Sequence, residues 1–362
     1  MPNTSIINSF KTCFRFDWSD SLLNQKIEFD HYDTVKGILI LLIAVGHAHS
    51  RNPVFLEFQR FLYNFHAPLF LLIAFILPAP QFSIASIRKR LRRYFVPVIW
   101  FSALAFLIFN LLLSDTSLKS ALLDFGLAFL TGSYWFFDRA TGFEAFWFMH
   151  ALFGLFFLRS LSGASGWCSL IGVAIVVSLL VYVTLPAGPQ AKYIPTIFTI
   201  SAYCLLISIP VYFCVNLFDK IKPSYFTIIL CASVFVLLSY LNENIFINSY
   251  NIGNIRIPGF SDMPDLLMFI LLLSTALWLI LRAGKHKLGQ RVFGPLGKLS
   301  FEIYLIHLFV FILIERLFLV IGLTTSTLWA LMLLIVSGII VSYALASVTR
   351  KFPFFNRHIF VK

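Results

Sequence analysis

The chain has 362 residues, of which 59% are hydrophobic and only 12% are charged. Soluble domains carry about 25% charged residues, and a soluble fold of this length has too little interior to bury so much apolar surface. The composition therefore predicts a polytopic membrane protein. The net charge of +12 comes from basic residues in short loops between apolar runs, where they act as topology determinants. We therefore expect no nucleic-acid partner.

Ten apolar runs predict an all-α protein with about ten transmembrane helices. A further apolar stretch at 120–137 is interrupted by Asp124 and is compatible with a re-entrant, an interfacial or a spanning segment. The first 30 residues are polar and unlike a cleavable signal. The ten predicted spans are 34–50, 61–80, 94–114, 143–161, 167–187, 194–218, 223–242, 264–283, 300–321 and 327–349.

This span count places most lysines and arginines on the side of the two termini, so the positive-inside rule puts both termini in the cytoplasm. The chain is thereby divided into a cytoplasmic N-terminal segment (1–32), a transmembrane domain (33–350) and a cytoplasmic basic tail (351–362).

The first predicted span carries three ionisable residues on one face. At 100° per residue, Lys36 and His47 differ by about 20° in direction and about 16 Å in height, and Asp33 lies within about 40° of His47. Because ionisable groups are costly inside a bilayer, such a polar stripe indicates a functional site. The structural alternative is a lysine that reaches the interface and a histidine that hydrogen-bonds a neighbouring helix.

Three more histidines lie within predicted spans, a set that favours proton transfer over cation coordination. On the predicted topology, His66 shares the outer depth of His47, and His307 approaches from the cytoplasmic half. The third, His150, follows an aromatic run, where core packing is the simpler interpretation. A structural role is open for His66 too, because Pro68 frees backbone groups that its ring can satisfy.

No HxxxH or CxxC spacing accompanies these histidines, and the five cysteines are scattered, so we expect no metal site. The cluster Arg88–Arg93 has two interpretations: it binds lipid headgroups, or it holds an anionic nucleotide. Glu144 and Trp147 begin the fourth predicted span at the outer depth of His47.

Four short blocks contain these residues in order along the chain. They are Lys36-x10-His47, Phe65-His66-x-Pro68-Leu69-Phe70, Phe146-Trp147-Phe148-Met149 and Gly297-x-x-Ser300-x-x-Ile303-Tyr304-Leu305-x-His307. Together the blocks resemble the acyltransferase-3 family of integral-membrane O-acyltransferases, and the first is most similar to its fucose 4-O-acetylase-like branch. The chain departs from the family at Ile73-Ala74, where a Ser-Gly pair is usual.

The resemblance implies transfer of an acyl group, usually acetyl, from acyl-CoA made in the cytoplasm. The usual acceptor is a sugar hydroxyl of a cell-envelope polysaccharide or glycolipid. We therefore expect an O-acetyltransferase of the bacterial inner membrane, with 33–350 as its acyltransferase domain. Acetyl-CoA is the expected donor, and an envelope glycan or lipid-linked sugar is the expected acceptor.

Each of the singled-out residues has an expected role in this reaction. His47 is the expected general base, because the reference pKa of histidine, about 6.5, suits proton removal near neutrality. His66 and His307 are expected as further catalytic residues in the same chamber. The residues expected to hold CoA are Lys36, Asp33, Arg90 and Arg93, and those expected to bind substrate are Glu144, Trp147 and Tyr304.

Two other classes stay open at this point. A transporter or exporter of a glycan precursor or small solute also has about ten helices, intramembrane histidines and broken helices. A structural or regulatory membrane subunit is less consistent with the polar stripe. In each case membrane lipids are expected partners, and the sequence predicts no particular oligomeric state.

Overall fold

The computed structural model describes residues 29–48, 50, 52–63, 65–76, 83–112, 118–165, 196–220, 228–237, 250–252, 255–257 and 263–360. Its α-helices are α1 (Phe29–Gly46), α2 (Pro53–Tyr63), α3 (His66–Leu72), α4 (Ile84–Leu112), α5 (Leu118–Thr131), α6 (Tyr134–Thr141), α7 (Trp147–Ser165), α8 (Thr196–Lys220), α9 (Ile228–Leu237), α10 (Met263–Lys285), α11 (Lys287–Lys298), α12 (Ser300–Val320) and α13 (Leu328–Thr349). A short antiparallel hairpin pairs β1 (Tyr250–Ile252) with β2 (Ile255–Ile257). Single 3-10 turns occupy Ile73–Ile76 and Glu144–Phe146, and a π-helical turn occupies Phe355–Ile359.

Within these residues, four helices are long and apolar enough to cross a membrane. They are Ile84–Asn110 within α4, Pro264–Lys285 within α10, and the whole of α12 and α13. Apart from the short hairpin, the described chain is helical, which confirms the prediction of a helical membrane protein. The predicted spans at 264–283, 300–321 and 327–349 agree with α10, α12 and α13 to within two residues at each end. The span predicted at 167–187 lies outside the described residues.

The second predicted span, 61–80, is not one continuous helix. It is divided between α2 and α3, and Phe65 lies between them with φ −141° and ψ −25°. Pro68 occupies the first turn of α3, where a missing backbone N–H removes no helical hydrogen bond. The break leaves His66 as the first residue of a new helix, whereas the sequence predicted a helix over 61–80 that is disturbed only at Pro68.

The ambiguous stretch 120–137 forms parts of two short helices rather than one long one. α5 has 14 residues and α6 has 8, and both fall short of the roughly 20 residues that cross a bilayer. Gly132 separates them with φ 67°. The Arg139 guanidinium then pairs with Asp124 at 3.1 Å and joins the two helices side by side.

Two basic segments outside the predicted spans are also folded. The cluster Arg88–Arg93 forms early turns of α4, which begins well before the predicted position 94 because lysine and arginine are good helix formers. The described part of the predicted basic tail, 351–360, returns to the bundle. Phe360 is 1% exposed, and its ring centroid lies 6.4 Å from both Phe101 and Phe301.

The sequence analysis missed α11, whose glycines and charged residues conceal it from a search for apolar runs. α11 packs along α1, and glycines make the closest approach. A Cβ built on Gly37 would overlap the carbonyl oxygen of Phe293, and one built on Gly297 would overlap the carbonyl oxygen of Asp33. The backbones of the two helices are therefore in direct contact beside Lys36.

Replacing Gly297 with alanine is expected to lower the free energy of unfolding by about 1–3 kcal/mol, because the added methyl group meets rigid backbone. The melting temperature of the purified protein in detergent measures this loss. Gly126→Ala in α5 is the matched control, since no atom lies within 4 Å of its added Cβ. Equal melting temperatures for the two variants would contradict the backbone contact.

Candidate active site

Three histidines form a cluster where α1 ends. His47 directly follows α1 and stacks on His307 of α12, with ring centroids 5.4 Å apart and an interplanar angle of 24°. His66 meets His47 edge-on at 6.3 Å. Tyr63, the last residue of α2, lies 6.0 Å from His47 and 5.0 Å from His66. The structure thus brings together the three histidines that the sequence analysis placed in one chamber, and His307 lies directly against His47.

Backbone carbonyls determine which nitrogen carries the hydrogen in two of these rings. Nδ1 of His66 lies 2.6 Å from the carbonyl oxygen of Leu62, and Nδ1 of His307 lies 2.7 Å from that of Tyr304. A carbonyl only accepts, so Nδ1 donates in both rings and Nε2 keeps the lone pair of the neutral form. Nε2 of His307 is buried with no hydrogen-bond partner among the described residues.

Of the three histidines, His47 is the one that borders a cavity. His66 and His307 are 2% and 0% exposed, whereas His47 is half-buried beside a cavity of about 590 Å³. A base must reach its substrate, so this geometry favours His47 over its two neighbours for that role. We call this space the histidine cavity; its lining residues are Gly46, His47, Ser50, Leu56, Gln59, Tyr63, Asp138, Gly142, Phe143, Ala145, Leu308, Ile312, Glu315 and Thr325.

Half of the described residues that line the histidine cavity are polar, and none of them is a lysine or arginine. Asp138 of α6 and Glu315 of α12 provide carboxylates, and burial raises the pKa of Asp138 above its ordinary value. Hydroxyl and amide groups complete the polar lining, from Ser50, Gln59, Tyr63 and Thr325. Such a surface suits a neutral, hydroxyl-rich ligand better than an anion, because carboxylates repel negative charge.

A second cavity, of about 300 Å³, has the opposite character. Five of its lining residues carry a positive charge, and Glu302 is the one carboxylate among the described lining residues. We call it the basic cavity; its cations are Lys36, Arg90, Arg93, Lys298 and Arg350. Its aromatic lining comprises Tyr32, Phe70, Tyr94, Phe148, Phe156, Phe301, Tyr304 and Phe360.

The four residues expected to hold CoA lie at or beside the basic cavity. Nζ of Lys36 pairs with Asp33 at 2.7 Å and lies 5.0 Å from the centre of the Tyr32 ring. Arg90 lies over the ring of Phe156 at 4.5 Å. These contacts hold long basic side chains in place while leaving the cations at the cavity wall.

Lys298 and Arg350 belong to the same wall, although the sequence analysis did not select them. Nε of Arg350 donates to Glu302 at 3.1 Å, and its Nη2 donates to the carbonyl oxygen of Lys298 at 2.6 Å. Glu302 is 1% exposed, and an unpaired carboxylate in such a place would cost several kcal/mol. The ion pair therefore fixes the guanidinium of Arg350 at the cavity.

Tyr304 and Ala145 lie in the wall between the two cavities. Tyr304 borders the basic cavity, Ala145 borders the histidine cavity, and the Tyr304 hydroxyl donates to the Ala145 carbonyl. The Tyr304 ring also lies 5.8 Å from that of His307. A single buried layer thus separates a cation-rich space from the space that His47 borders.

Glu144 and Trp147, which are expected to bind substrate, are not among the described lining residues of either cavity. Trp147 is 7% exposed and lines neither one, and the side chain of Glu144 lies outside the described residues. Their role in substrate binding stays a prediction. His150 belongs to a separate aromatic group and packs against Phe95 and Phe137, with ring centroids at 4.7 and 5.6 Å.

Among the described residues, no group of three or more His, Cys, Asp and Glu side chains is arranged to bind a metal ion. The histidine cluster itself is held by carbonyl contacts and ring packing. The absence of a metal cofactor stays an expectation.

The comparison with known families gives one match, to the acyltransferase-3 model described as an acyltransferase domain, over residues 29–347. The chain belongs to the acyltransferase-3 family. It is an integral-membrane acyltransferase, and both cavities lie within the matched segment, apart from Arg350 and Phe360. No curated protein and no solved structure matches the chain.

The family match identifies no individual site residues. The geometry of the two cavities adds four positions that sequence reasoning missed. Gln59, Asp138, Lys298 and Arg350 border one of the two cavities. Lys298 and Arg350 lie at the ends of apolar runs, where basic residues are expected as topology determinants. Their positions in the sequence therefore do not indicate a binding site. Gln59 and Asp138 lie in short helices, at positions just outside the predicted segments 61–80 and 120–137.

Cysteines introduced at positions 47 and 307, or at 47 and 66, should be joined by a short bifunctional thiol reagent in a chain without its native cysteines. The ring centroids of these pairs are 5.4 and 6.3 Å apart. Mobility shift on a denaturing gel measures the crosslink. The control pair is 47 and 150, because His150 packs in a different group. Crosslinking that is no faster for 47/307 than for 47/150 would contradict the cluster.

Proposed function

We propose that this acyltransferase moves an acyl group, acetyl in the first instance, from acyl-CoA in the basic cavity to a sugar hydroxyl in the histidine cavity. The observation that carries the proposal is the contrast between the cavities. One is lined by five cations and the other, in its described part, by none, and His47 and His307 lie beside the wall between them. The proposed acceptor is a cell-envelope polysaccharide or glycolipid.

The basic cavity suits the donor because CoA combines several phosphate charges with a long, uncharged pantetheine arm. Lys36, Arg90, Arg93, Lys298 and Arg350 offer charge-assisted hydrogen bonds to phosphate oxygens. The aromatic residues beyond them, ending at Tyr304, give the arm an apolar path toward His307 and His47. Arginine suits phosphate especially well because its fork can bind two oxygens at once.

The histidine cavity suits the acceptor because a sugar presents neutral hydroxyls that both donate and accept. Asp138 and Glu315 can accept from them, and the Gln59 amide and the Tyr63 hydroxyl lie on the same surface. An anionic acceptor would meet the carboxylates of Asp138 and Glu315 in this lining. The proposal therefore favours a neutral sugar over an acidic one.

In the proposed reaction His47 is the general base. Its unprotonated ring nitrogen takes the proton of the sugar hydroxyl while the hydroxyl oxygen attacks the thioester carbonyl carbon. The tetrahedral intermediate then collapses, the carbon–sulfur bond breaks, and the proton on His47 passes to the departing CoA sulfur. The products are the sugar ester and free CoA.

We also propose the number of spans and the orientation of the chain in the membrane. With about ten spans and both termini in the cytoplasm, the basic cavity opens to the cytoplasm and the histidine cavity lies toward the outer face. The cations around the basic cavity support this orientation, since lysine and arginine concentrate on the cytoplasmic side. We further propose the bacterial inner membrane as the location and the fucose 4-O-acetylase-like branch as the subgroup.

His47→Ala is expected to lower acyl transfer by about 10²–10⁴-fold, the usual contribution of a general base. CoA release by the purified protein and acylation of the surface glycan in a deletion strain both measure the effect. His150→Gln is the matched control, because glutamine keeps a donor for the carbonyl oxygen of Phe129, 3.2 Å from the histidine ring. Near-normal acylation by a well-expressed His47→Ala variant would exclude this residue as the base.

Lys36→Ala is expected to raise the KM for acyl-CoA by about tenfold, equivalent to 1.4 kcal/mol, with little change in kcat. A phosphate clamp binds the ground state and the transition state alike, so its loss weakens donor binding. Lys36→Arg should retain more of the affinity because it keeps the charge. Lys287→Ala, at an exposed position of α11, is the control, and an unchanged KM in Lys36→Ala would exclude the clamp.

The transporter alternative is separated by reconstituting the wild-type protein in liposomes. An acyltransferase releases CoA from acetyl-CoA when an acceptor sugar is supplied, whereas a carrier accumulates labelled solute without consuming a thioester. Accumulation without CoA release would overturn the proposed function.

A further inference from the structure

Gln59 contacts the backbone on both sides of His47. Its amide nitrogen donates to the carbonyl oxygen of Gly46 at 2.9 Å and to that of Ala48 at 2.7 Å. Gln59 is half-buried in α2, and both it and His47 border the histidine cavity. One side chain therefore bridges the two residues that flank the candidate base.

The need for such a bridge follows from where α1 ends. The last carbonyls of a helix have no intrahelical donor, and His47 lies one residue beyond Gly46. Its own N–H still contacts the carbonyl oxygens of Ile43 and Ala44, at 3.1 and 3.2 Å. The N–H of Ala48 likewise donates to the carbonyl oxygen of Val45 at 3.2 Å. The carbonyl of Ala48 lies beyond the end of α1, and Gln59 supplies its hydrogen bond.

An uncharged amide is well matched to this task. Its NH2 group has two hydrogens, one for each carbonyl. A carboxylate of the same shape has none and would place a negative oxygen against two carbonyl oxygens. Among side chains of this length, glutamine alone offers two donors on one neutral nitrogen.

The helix that carries Gln59 is itself fixed. The Asn52 side chain caps α2 by accepting from the N–H of Phe55 at 3.2 Å, and its amide donates to the carbonyl oxygen of Ser326 at 2.9 Å. The Ser50 hydroxyl donates to the carbonyl oxygen of Thr325 at 3.1 Å. The bridge therefore connects His47 to a helix held against the segment between α12 and α13.

We propose that Gln59 is a positioning residue for His47: its two hydrogen bonds set the orientation in which the imidazole faces the histidine cavity and stacks on His307. This inference rests on the proposed function, in which His47 is the base. Gln59 does not itself exchange a proton, so it acts through the geometry of His47.

The kinetic test uses two variants. Gln59→Met keeps the length of the side chain but has no hydrogen-bond donor, and Gln59→Glu keeps its shape but has acceptor oxygens in place of the donor. We expect kcat to fall by about 10- to 100-fold in both, because a displacement of about 1 Å at a catalytic group costs up to 10² in rate. The KM for acyl-CoA should stay unchanged, since the donor lies in the other cavity. Glu57→Gln is the control; it breaks only the exposed pair with Arg60 on the same helix.

The geometric test does not depend on the reaction. With cysteines at 47 and 307, the rate of crosslinking is measured with glutamine or methionine at 59, beside the melting temperature of each chain. We expect methionine to slow the crosslink several-fold while the melting temperature stays close to that of the parent. An unchanged crosslinking rate would overturn the proposal, whatever the activity. A lowered melting temperature with unchanged kcat in the folded fraction would also overturn it, by assigning Gln59 a purely structural role.

The two tests separate this inference from the proposed function. If the wild-type protein transfers no acyl group but the crosslink still depends on Gln59, the bridge stands and the assigned chemistry fails. If transfer occurs and neither kcat nor crosslinking responds to Gln59, the chemistry stands and the bridge fails.

Discussion

The arrangement of the site depends on the backbone contact between α1 and α11 at Gly37 and Gly297. His47 lies ten residues after Gly37, and His307 lies ten residues after Gly297. Lys36 and Lys298 border one cavity at this contact, and the two segments run from it in the same direction to bring both rings to one level. The stacking of His47 on His307 is the result. A bulkier residue at either glycine would shift one segment against the other and separate the rings.

The same contact explains how one short bundle holds two chemically different spaces. At the glycine level the chain presents Lys36 and Lys298, and the ends of α4 and α13 add arginines. Two turns further along, the rings of His307 and Tyr304 are buried. Among the described lining residues, positive charge is thus confined to the end where cations can reach water and anions, because a cation deeper in the bundle would face a steep desolvation cost. The polar groups that remain near His47 are neutral or acidic.

Sequence reasoning was most successful where one physical requirement dominates. The length of the apolar runs located α10, α12 and α13, because each must match the thickness of a bilayer. The spacing of Lys36 and His47 predicted a separation of about 16 Å along one helix, and the structure has the two residues at different cavities. Sequence reasoning failed where long-range packing determines the secondary structure. α11 is polar and rich in glycine, and it forms a helix packed against α1. Sequence reasoning also missed Gln59, Asp138, Lys298 and Arg350, since cavity walls are assembled from segments distant in the chain, and no local pattern marks them.

The hydrogen bond from Tyr304 to Ala145 has a consequence for the membrane itself. If the two cavities open to opposite sides, an unobstructed water path between them would let protons run down the transmembrane potential, and each charge that crossed would dissipate about 2.3 kcal/mol per 100 mV. The layer of Tyr304, Ala145 and His307 interrupts such a path with neutral groups. An acyl thioester can displace one hydrogen bond, whereas a hydrated proton meets closely packed side chains in place of continuous water. In that orientation the same few side chains limit proton leakage across the bilayer while the enzyme is idle.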